Sequence, residues 1–524
     1  MTPDARGDSI GPKGAKLDKR FYITTPIYYV NDVPHIGHTY TTVAADALAR
    51  YKRLRGYEVL FLTGTDEHGE KILEAATKKG IPPIELANRV VRRFQSLWKT
   101  LHISNDDFIR TTEERHIKVV REVFSKLYRQ DDIYKGTYEG WHCTPCETFW
   151  LETQLEGKRV CPECGEALKR IQEESYLFRL SKYQERLLQH LERNPEFVLP
   201  ATRKNEVAAF IKGGLRDLSV TRLRLPWGIP CPLDEKHSIY VWVDALLNYI
   251  SALGYPSNSR FVSFWPASVQ LVGKDILKFH AIIWPCLLMA LGIQPPRLVF
   301  AHGWWKMGGG KMSKSKGNVV DPGPLIEEHG ADALRYFLLR EVPFGEDGRF
   351  SPSLFIKRVN SDLANDLGNL LNRTIPLVIR FCGGKIPHPQ HGNSAGLEDL
   401  AKDTLERLDQ FMDRLSFSEA LSGIWQMVKA ANLYIDRSAP WRLAKDREKQ
   451  KELHTVLYNL LEVLRILALI LFPFIPSSAQ KIWEQIGMEG DLDSQILEAE
   501  DIWGGLAPGR EVKKGPPLFP RIEG

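Results

Sequence analysis

Apolar residues are distributed differently in the two parts of this chain, and that distribution predicts its architecture. Five short runs rich in β-branched and aromatic residues predict buried strands, at 21–30, 58–63, 238–245, 268–272 and 297–303. Apolar residues at helical spacing between 43 and 51, and again between 279 and 284, predict helices between these strands. Buried strands that alternate with helices favour an α/β fold with a Rossmann-like, doubly wound parallel sheet.

The last third of the chain has the 3.6-residue period of helices instead. Residues 354–371 and 421–428 keep that period, and 453–472 is apolar on nearly every face, as in the central helix of a bundle. We therefore predict an all-α helical bundle after the α/β domain. The predicted division is a disordered tail at 1–20, a Rossmann domain at 21–120 and 235–320 with an insertion at 121–234, a linking domain at 321–358, a helical domain at 359–510, and a tail at 511–524 that folds back.

Composition and the apolar runs argue against a secreted or membrane-spanning protein. The 524 residues are 43% hydrophobic and 26% charged with a net charge of +5, so a polyanionic partner must meet local patches rather than a global field. The first twenty residues lack the apolar core of a signal peptide. The apolar run 466–475, broken by Pro473, is too short to span a bilayer. We expect a cytoplasmic protein.

Four of the seven cysteines form two C-x-x-C pairs, Cys143 with Cys146 and Cys161 with Cys164. Two such pairs match a tetrahedral structural zinc site, whereas a disulfide framework is not expected in a reducing cytoplasm. Four thiolates leave no open coordination position, so the metal would stabilise a short segment rather than catalyse a reaction. The alternative is four reduced thiols without metal.

The stretch 308–318 combines a mobile backbone with converging positive charge. Gly308–Gly310 permit unusual backbone angles, and Lys311, Lys314 and Lys316 crowd like charges into six positions. Such a loop is suited to close on a multivalent anion, such as the pyrophosphate of a nucleotide, as charge develops on it. A solvated basic turn is the alternative.

His35-Ile36-Gly37-His38 lies where the first strand is predicted to turn into a helix. Nucleotides bind at this carboxyl edge of doubly wound sheets, and a helix N-terminus offers free N–H groups to a phosphate. His35 and His38 can add hydrogen bonds there, and Gly37 lets an adenine ring approach the backbone. Alone, the histidines can equally cap the helix or fill space; with the lysine stretch they indicate an ATP site.

Acidic and aromatic residues cluster near the other predicted strand ends. Asp66 is placed to hold a substrate ammonium group, or to cap the next helix with Glu67 in its first turn. Asp275 can bind the ribose of a nucleotide. The same region contains an aromatic stripe, Trp242, Tyr249, His280 and Trp284. This stripe indicates either a pocket for a side chain or plain core.

The helical third also carries residues suited to RNA. Pro440 can present Trp441 outward as a stacking platform for an unpaired base. Asn369 and Arg373, four residues apart on one helix, can read the edge of that base. The alternative is a purely structural helical domain.

The order of these motifs closely resembles one family. A strand followed by His-Ile-Gly-His, then Gly-Thr-Asp-Glu-His-Gly, Val-Trp-Val-Asp-Ala, Gly-Lys-Asp-Ile and Lys-Met-Ser-Lys-Ser, is similar to the methionyl-tRNA synthetases, class I aminoacyl-tRNA synthetases of bacterial type. The resemblance extends from about residue 21 to about residue 520. It implies a ligase that activates L-methionine with Mg²⁺-ATP to methionyl-adenylate and transfers it to the 3′ end of initiator and elongator tRNA(Met).

The resemblance also implies roles for individual residues. It assigns ATP binding to His35, Gly37, His38, Asp275, Lys311, Ser313 and Lys314, with His35, His38, Lys311 and Lys314 catalytic. It assigns methionine binding to Ile27, Tyr29, Asp66, Trp242, Ala245, Tyr249, His280 and Trp284. It assigns the anticodon to Asn369, Arg373, Pro440 and Trp441, and one zinc ion to Cys143, Cys146, Cys161 and Cys164. One departure is Leu246, where some members carry proline. Since the dimerising module of some relatives does not follow, we expect a monomer.

Three other interpretations remain open from the residues. The first is a class I synthetase for another amino acid. The synthetases for leucine, isoleucine and valine need a large editing insertion, and the cysteine enzyme uses an open zinc site rather than a closed four-thiolate one. A small-molecule nucleotidylyltransferase shares His-x-Gly-His but has no need of a helical third bearing Trp441. A non-catalytic tRNA-binding paralogue would be expected to have lost the histidines and lysines.

Overall fold

A six-stranded parallel sheet lies at the centre of the first part of the chain. The computed structural model describes residues 19–144, 148–150, 152, 155, 157–162, 164–307, 310–311, 320–389, 394–497 and 502–523. The strands are β1 (Arg20–Tyr29), β2 (Glu58–Asp66), β3 (Asp107–Arg110), β4 (Ile133–Cys143), β5 (Thr148–Trp150), β6 (Lys169–Phe178), β7 (Val198–Leu199), β8 (Leu218–Ser219), β9 (Thr221–Leu223), β10 (His237–Ile239), β11 (Val269–Gly273), β12 (Val299–His302), β13 (Trp305–Met307), β14 (Gly310–Lys311) and β15 (Gly348–Arg349).

The helices cover both faces of the sheet and then form the C-terminal bundle. They are α1 (Ile36–Leu54), α2 (Glu70–Lys78), α3 (Pro83–Thr100), α4 (Glu114–Arg129), α5 (Gln184–Arg193), α6 (Ala201–Lys212), α7 (Val241–Leu246), α8 (Asn248–Ser251), α9 (Ser259–Phe264), α10 (Trp284–Leu291), α11 (Pro322–His329), α12 (Ala331–Arg340), α13 (Pro352–Arg358), α14 (Asn369–Cys382), α15 (Leu397–Asp413), α16 (Phe417–Ser438), α17 (Pro440–Leu443), α18 (Gln450–Leu471) and α19 (Pro476–Gln485). Two π-helical segments, Phe279–Ile283 and Val359–Gly368, adjoin α10 and α14.

The central sheet has the order β3-β2-β1-β11-β12-β7, with every neighbouring pair parallel, which confirms the predicted fold class. β1 and β11 are neighbours at the centre of the sheet. β2 and β3 extend the sheet on the β1 side, and β12 and β7 extend it on the β11 side, so the strand order reverses between β1 and β11. Ligands bind at such a switch point in doubly wound sheets. Pro26, which cannot donate a ladder hydrogen bond, lies in β1 where the register shifts between Thr24 and Ile27.

The strand predicted at 238–245 is wrong. Only His237–Ile239 forms a strand, β10, which pairs with β9 outside the central sheet, and the chain is helical from Val241. Residues 237–253 are all buried, so apolar side chains occur on every face and their spacing carried no helical period. Packing in the core therefore overrides the strand preference of Val241 and Val243.

The predicted insertion is built on an antiparallel sheet of order β5-β4-β6-β8. β4 and β6 form a long ladder that runs from Ile133 paired with Phe178 to His142 paired with Lys169. β7 comes from the same stretch of chain, yet it lies at the edge of the central sheet beside β12. The segment 121–234 therefore contributes one strand to the Rossmann domain.

α18 is the centre of the helical bundle. It is long and apolar enough to cross a membrane by length and composition alone, but 94% of its most apolar window is buried inside the protein, as expected for a core helix. The chain end packs back on the bundle, where Asn360 exchanges two hydrogen bonds with the backbone of Ile522. Fully buried Arg335 of α12 joins bundle and sheet domain, because it contacts Asp46 of α1 and donates to the carbonyls of Pro473 and Phe474.

Candidate active site

A cavity of about 460 Å³ opens at the carboxyl ends of β1 and β11. Its wall brings together residues that lie far apart in the sequence. Those predicted from sequence that line it are Ile27, Tyr29, His35, Gly37, His38, Asp66, Trp242, Ala245, Tyr249, Asp275 and His280. Residues predicted to bind the nucleotide and residues predicted to bind the amino acid therefore line the same cleft.

The two histidines form the start of α1. His35 is the N-cap. Its Nδ1 accepts from the backbone N–H of Gly37 at 3.0 Å, and its backbone N–H donates to His38 Nδ1 at 3.2 Å. The two rings stack with centroids 3.8 Å apart. The first turn of α1 has no acidic residue, so its positive dipole end is not neutralised from within. The N–H groups of Ile36 and Gly37 already donate to Val320 and His35, so this helix start is suited to attract a phosphate through its dipole and the two imidazoles.

Gly37 is required by close packing at this turn. A Cβ on Gly37 would lie 2.8 Å from His35 Cε1, closer than side chains approach. A larger residue would therefore displace the His35 ring from its stacked position. The glycine keeps both the imidazole geometry and access to the backbone.

The segments that flank the lysine loop, residues 308–318, both lie beside α1. Lys311 pairs through its backbone with Lys306 in the β13–β14 hairpin, and Trp305 of β13 lines the cavity. At the other end, the N–H of Ile36 donates to the carbonyl of Val320 at 3.1 Å. The side chain of Lys311 and all of Ser313 and Lys314 lie outside the described residues. Both described ends of the loop nonetheless converge on the cleft that contains His35 and His38.

Asp275 lies in the turn after β11 and lines the cavity beside Trp304, whose Nε1 donates to Asp275 Oδ1 at 3.1 Å. The neighbouring Lys274 is paired elsewhere, with Asp347 at 2.6 Å, and Lys306 joins the same carboxylate at 2.7 Å. Burial opposes ionisation of Asp347, but hydrogen bonds from Lys274 and Lys306 hold the pKa of its carboxyl well below the usual range. Asp347 thus joins the turn after β11 to β13 beside Asp275.

Aromatic rings form the opposite end of the cleft. Tyr29 meets Trp242 edge-on, with centroids 6.4 Å apart, and Trp242 stacks on Phe279 at 3.5 Å. Trp284 is fully buried, its ring centroid lies 5.8 Å from that of Tyr249, and it is not among the residues that line the cavity.

His280 is held as a neutral imidazole. Its Nδ1 lies 3.0 Å from the carbonyl oxygen of Ile276, which can only accept, so Nδ1 carries the proton. Its Nε2 then accepts from the Tyr249 hydroxyl at 2.7 Å. Burial lowers the pKa of His280 to about 4. The pocket consequently presents a polar but uncharged pair at neutral pH.

Asp66 is the last residue of β2 and is 3% exposed at the cavity wall. The alternative that it caps the next helix is wrong, because α2 begins at Glu70 with Gly69 at its N-cap. Gly69 has a φ of +107°, a backbone conformation that glycine adopts without strain and that separates Asp66 from the helix. A buried carboxylate beside an open cleft is suited to bind an ammonium group.

Sequence reasoning missed several residues of the cleft. His302 ends β12, and its Nε2 lies 2.7 Å from the hydroxyl of Thr41 on α1. Asn248 lines the cavity, and its amide donates to the carbonyl of Ala245 at 2.6 Å. Lys71 lies over the Tyr29 ring, 5.0 Å from its centroid. His302 carried a usable signal, a polar residue directly after a buried strand, whereas Asn248 and Lys71 carried none.

Three of the four predicted metal ligands come together at the tip of the insertion. The sulfur atoms of Cys143, Cys161 and Cys164 lie within 4.8 Å of one another, and those of Cys143 and Cys164 are 3.5 Å apart. Zn–S bonds of about 2.3 Å imply sulfur separations of about 3.8 Å in a tetrahedral site, so these positions fit zinc. Cys146 lies outside the described residues.

The predicted RNA-reading residues lie where α14 meets α16. Arg373 pairs with Asp436 at 2.5 Å, and Asn369 donates to Asn432 at 3.2 Å. The chain then leaves α16 and buries Pro440, while the adjoining Trp441 remains 42% exposed. The exposed indole that follows α16 offers a stacking surface, and Arg373 and Asn369 add hydrogen-bonding groups that contact α16 itself.

Comparison with known proteins agrees with this arrangement. The family described as tRNA synthetases class I (M) matches residues 21–172 and 165–375, and the anticodon binding domain of methionyl tRNA ligase matches residues 388–524. Methionine–tRNA ligase of Caldanaerobacter subterraneus subsp. tengcongensis is 54% identical over 513 residues, 97% of this chain and 80% of the relative. That of Bacillus subtilis is 50% identical over 525 residues, 96% of this chain and 78% of the relative.

Solved structures give the same match. Mycobacterium tuberculosis methionyl-tRNA synthetase in complex with methionyl-adenylate has a TM-score of 0.92 at 43% identity, over 96% of this chain and all of that one. The free form of the same enzyme has a TM-score of 0.86 at 39% identity, over 96% of this chain and 98% of that one.

The parallel sheet, the cleft at its switch point and the helical domain that follows are those of a class I aminoacyl-tRNA synthetase. The 54% identity to a methionine–tRNA ligase, over 97% of this chain, shows which family of class I synthetases it is. The chain belongs to the methionyl-tRNA synthetase family. It activates L-methionine with ATP and transfers the methionyl group to tRNA, which excludes the other synthetases, the nucleotidylyltransferase and the non-catalytic paralogue.

Proposed function

We propose that ATP, carrying Mg²⁺ on its phosphates, binds between the start of α1 and the lysine loop. The observation that carries this proposal is the hydrogen bond from Ile36 to Val320, because it holds one end of the loop against the His-x-Gly-His turn. A phosphate at the helix N-terminus would then lie within reach of both motifs. The ATP-binding residues would be His35, Gly37, His38, Asp275, Lys311, Ser313 and Lys314.

In the first step, a carboxylate oxygen of methionine attacks the α-phosphorus of ATP. A new P–O bond forms, the bond to the bridging oxygen breaks, and pyrophosphate leaves with that electron pair. The protein orients the reactants and offsets the developing charge, with His35 and His38 on the phosphate side and Lys311 and Lys314 on the leaving pyrophosphate. In the second step, a ribose hydroxyl of the terminal tRNA adenosine attacks the carbonyl carbon and AMP leaves.

Methionine would lie with its ammonium group on Asp66 and its side chain among the rings. Sulfur gains from contact with aromatic edges, and the neutral His280–Tyr249 pair places no charge beside the thioether. Because an apolar pocket discriminates by only about 1–3 kcal/mol per methylene, ring closure must add to selectivity. The pocket would comprise Ile27, Tyr29, Asp66, Trp242, Ala245, Tyr249 and His280, with Trp284 behind them.

The cysteine group would hold one zinc ion that stabilises the tip of the insertion. Cys143 and Cys161 are buried with Trp150, Leu155 and Leu168 in a core too small to order this tip without a cross-link. Cys164 is the third ligand whose position supports the site, and Cys146 is proposed as the fourth from its spacing alone.

In the helical domain, Trp441 would stack on a base of the methionine anticodon while Asn369 and Arg373 read its edge. Pro440 fixes the chain before the exposed indole. The tRNA partners would be the initiator and elongator tRNA(Met). We further propose that the protein is a cytoplasmic monomer.

ATP–pyrophosphate exchange tests the proposed methionine site. L-methionine should drive exchange, and leucine, isoleucine, valine and cysteine should not. Asp66→Asn should raise the KM for methionine by about 10-fold to 100-fold, as expected for loss of a charged hydrogen bond, with little change in the KM for ATP. Asp399→Asn, an exposed change on α15, is the matched control. An unchanged KM in Asp66→Asn would contradict the proposal.

A further inference from the structure

A buried hydrogen-bonded cluster of one carboxylate and two imidazoles lies behind the wall of the proposed methionine pocket and outside the residues proposed to bind ATP or methionine. The carboxylate of Asp244 is fully buried, with Oδ2 2.7 Å from His68 Nδ1 and Oδ1 2.6 Å from His116 Nε2. His116 is also fully buried, and its Nδ1 lies 2.7 Å from the hydroxyl of Ser251 on α8. Each carboxylate oxygen of Asp244 thus has its own imidazole partner.

The Asp244 carboxyl remains ionised although it lies in the core. Burial raises its pKa, but the electrostatic interaction with His68 and the hydrogen bonds to His116 and His68 outweigh burial and lower it. A buried ion network adds little net stability compared with apolar packing of the same volume. Its value here must therefore come from the geometry that it imposes.

That geometry joins the two elements that would hold methionine. His68 follows Asp66 by two residues, on the segment that leaves β2. Asp244 lies on α7 between Trp242 and Ala245, both of which line the cavity. The bond from His68 to Asp244 therefore links the proposed ammonium anchor to the side-chain wall.

Contacts with His116 and Trp227 fix the position of the bonded His68 and Asp244 side chains. His116, on α4, bonds both Asp244 on α7 and Ser251 on α8, so it fixes the two short helices relative to each other. The other face of His68 packs on Trp227, with ring centroids 5.5 Å apart. A helix of six residues, such as α7, has few hydrogen bonds of its own and depends on such contacts for its position.

We infer that Asp244, together with His68 and His116, is a positioning group that sets the separation between the Asp66 carboxylate and the Trp242 indole, and thereby selects the length of the amino-acid side chain. The inference rests on the proposed methionine site. An unbranched thioether whose ammonium group is anchored at one end is sensitive to this separation, because its terminal methyl must reach the rings without leaving a gap.

Methionine-dependent exchange in the zinc-loaded full chain tests the inference. Asp244→Asn should raise the KM for methionine by about 10-fold to 100-fold, while the KM for ATP changes less than about 2-fold. The preference for methionine over the longer ethionine, as a ratio of kcat/KM, should fall by about 10-fold in the same variant. His116→Gln should raise the KM for methionine to a similar extent. The double variant Asp244→Asn/His116→Gln should raise it no more than the more severe of the two single variants.

Glu462→Gln is the matched control, because Glu462 is equally buried and accepts hydrogen bonds from Arg465 and the 504–506 backbone, but lies in the helical bundle. It should lower the unfolding midpoint without changing the KM for methionine. Should Asp244→Asn fail to fold, Ser251→Ala removes the outer contact of His116 at 2.7 Å, together with the longer hydrogen bond from Ser251 to the carbonyl of Asn248 at 3.2 Å, and should raise the KM for methionine by about 3-fold. The inference is overturned if Glu462→Gln shifts this KM equally, or if Asp244→Asn and Ser251→Ala leave it unchanged while Asp66→Asn raises it. An unchanged KM in Asp66→Asn would instead overturn the proposed methionine site.

Discussion

The N–H of Ile36 donates to the carbonyl of Val320 at 3.1 Å, joining two segments that are 284 residues apart in the chain. Ile36 is the first residue of α1, between the two histidines, and Val320 is the first described residue after the lysine loop. The loop is therefore attached to the helix start on which the phosphates are proposed to bind.

We first predict that Gly37→Ala weakens ATP binding. The added Cβ would lie 2.8 Å from His35 Cε1 and force the imidazole from its stacked position on His38. The KM for ATP should rise by about 10-fold, the cost of one lost hydrogen bond to a charged group. Gly423→Ala, a glycine on α16 whose Cβ would meet its nearest neighbour at 4.0 Å, is the control and should keep the wild-type KM. Equal KM values for ATP in the two variants would contradict the prediction.

A second prediction concerns the stability of the protein in acid. Because burial lowers the pKa of His280 to about 4, the folded protein resists a proton that the unfolded chain accepts. This contribution is fully present above the ordinary imidazole pKa and is lost as pH falls from about 6.5 towards 4, by on the order of 3 kcal/mol. His142, whose pKa burial lowers to about 3, acts in the same direction.

Urea unfolding between pH 4 and pH 7 measures this effect. His280→Gln should reduce the dependence of the unfolding midpoint on pH without abolishing it, since His142 remains. His388→Gln removes an exposed imidazole and should leave the dependence as in the wild type. A His280→Gln profile parallel to that of the wild type would show that His280 is not buried as a neutral group.

A third prediction concerns zinc. Cys161→Ser should remove the metal, as measured by elemental analysis of the dialysed protein, and should increase proteolytic cleavage within 141–168. Cys382→Ser changes a half-buried cysteine far along the chain in α14 and should retain the metal. Full zinc content in Cys161→Ser would exclude this site.

A fourth prediction separates the two domains by kinetics. Trp441→Ala should raise the KM for tRNA in aminoacylation by about 5-fold to 100-fold, the cost of one base stacked on an aromatic ring. Methionine-dependent pyrophosphate exchange without tRNA should be unchanged. Val262→Ala, which trims another exposed apolar residue, should affect neither reaction. A loss of exchange in Trp441→Ala would mean that the residue supports the fold rather than RNA binding.

The strands that position the site could be predicted because their signals are local. β1 is a β-branched and aromatic run that ends at Asn31–Pro34, and α1 follows with its apolar face at helical spacing. The carboxyl edge of the sheet could therefore be placed, with His35 and Asp66 on it. The fold class and the family followed from the same motifs.

The rest depended on contacts that no local pattern contains. α7 was mistaken for a strand because it is buried on every side, and the π-helical turn that carries His280 has no period of its own in the sequence. The pairing of His302 with Thr41 joins residues 261 positions apart. Trp284 has the spacing expected for the pocket, but it is fully buried next to Tyr249, and Tyr249 is the ring that lines the cavity. In each case packing, rather than sequence spacing, decides the conformation and neighbours of the residue.

The central claim is that His38 and Lys314 act on the same ATP. Methionine-dependent ATP–pyrophosphate exchange in His38→Asn, Lys314→Ala and the double variant tests it most directly. We predict that each single change slows exchange by about 100-fold or more and that the double variant loses less than the product of the two effects. Exchange at the wild-type rate in Lys314→Ala would contradict the account.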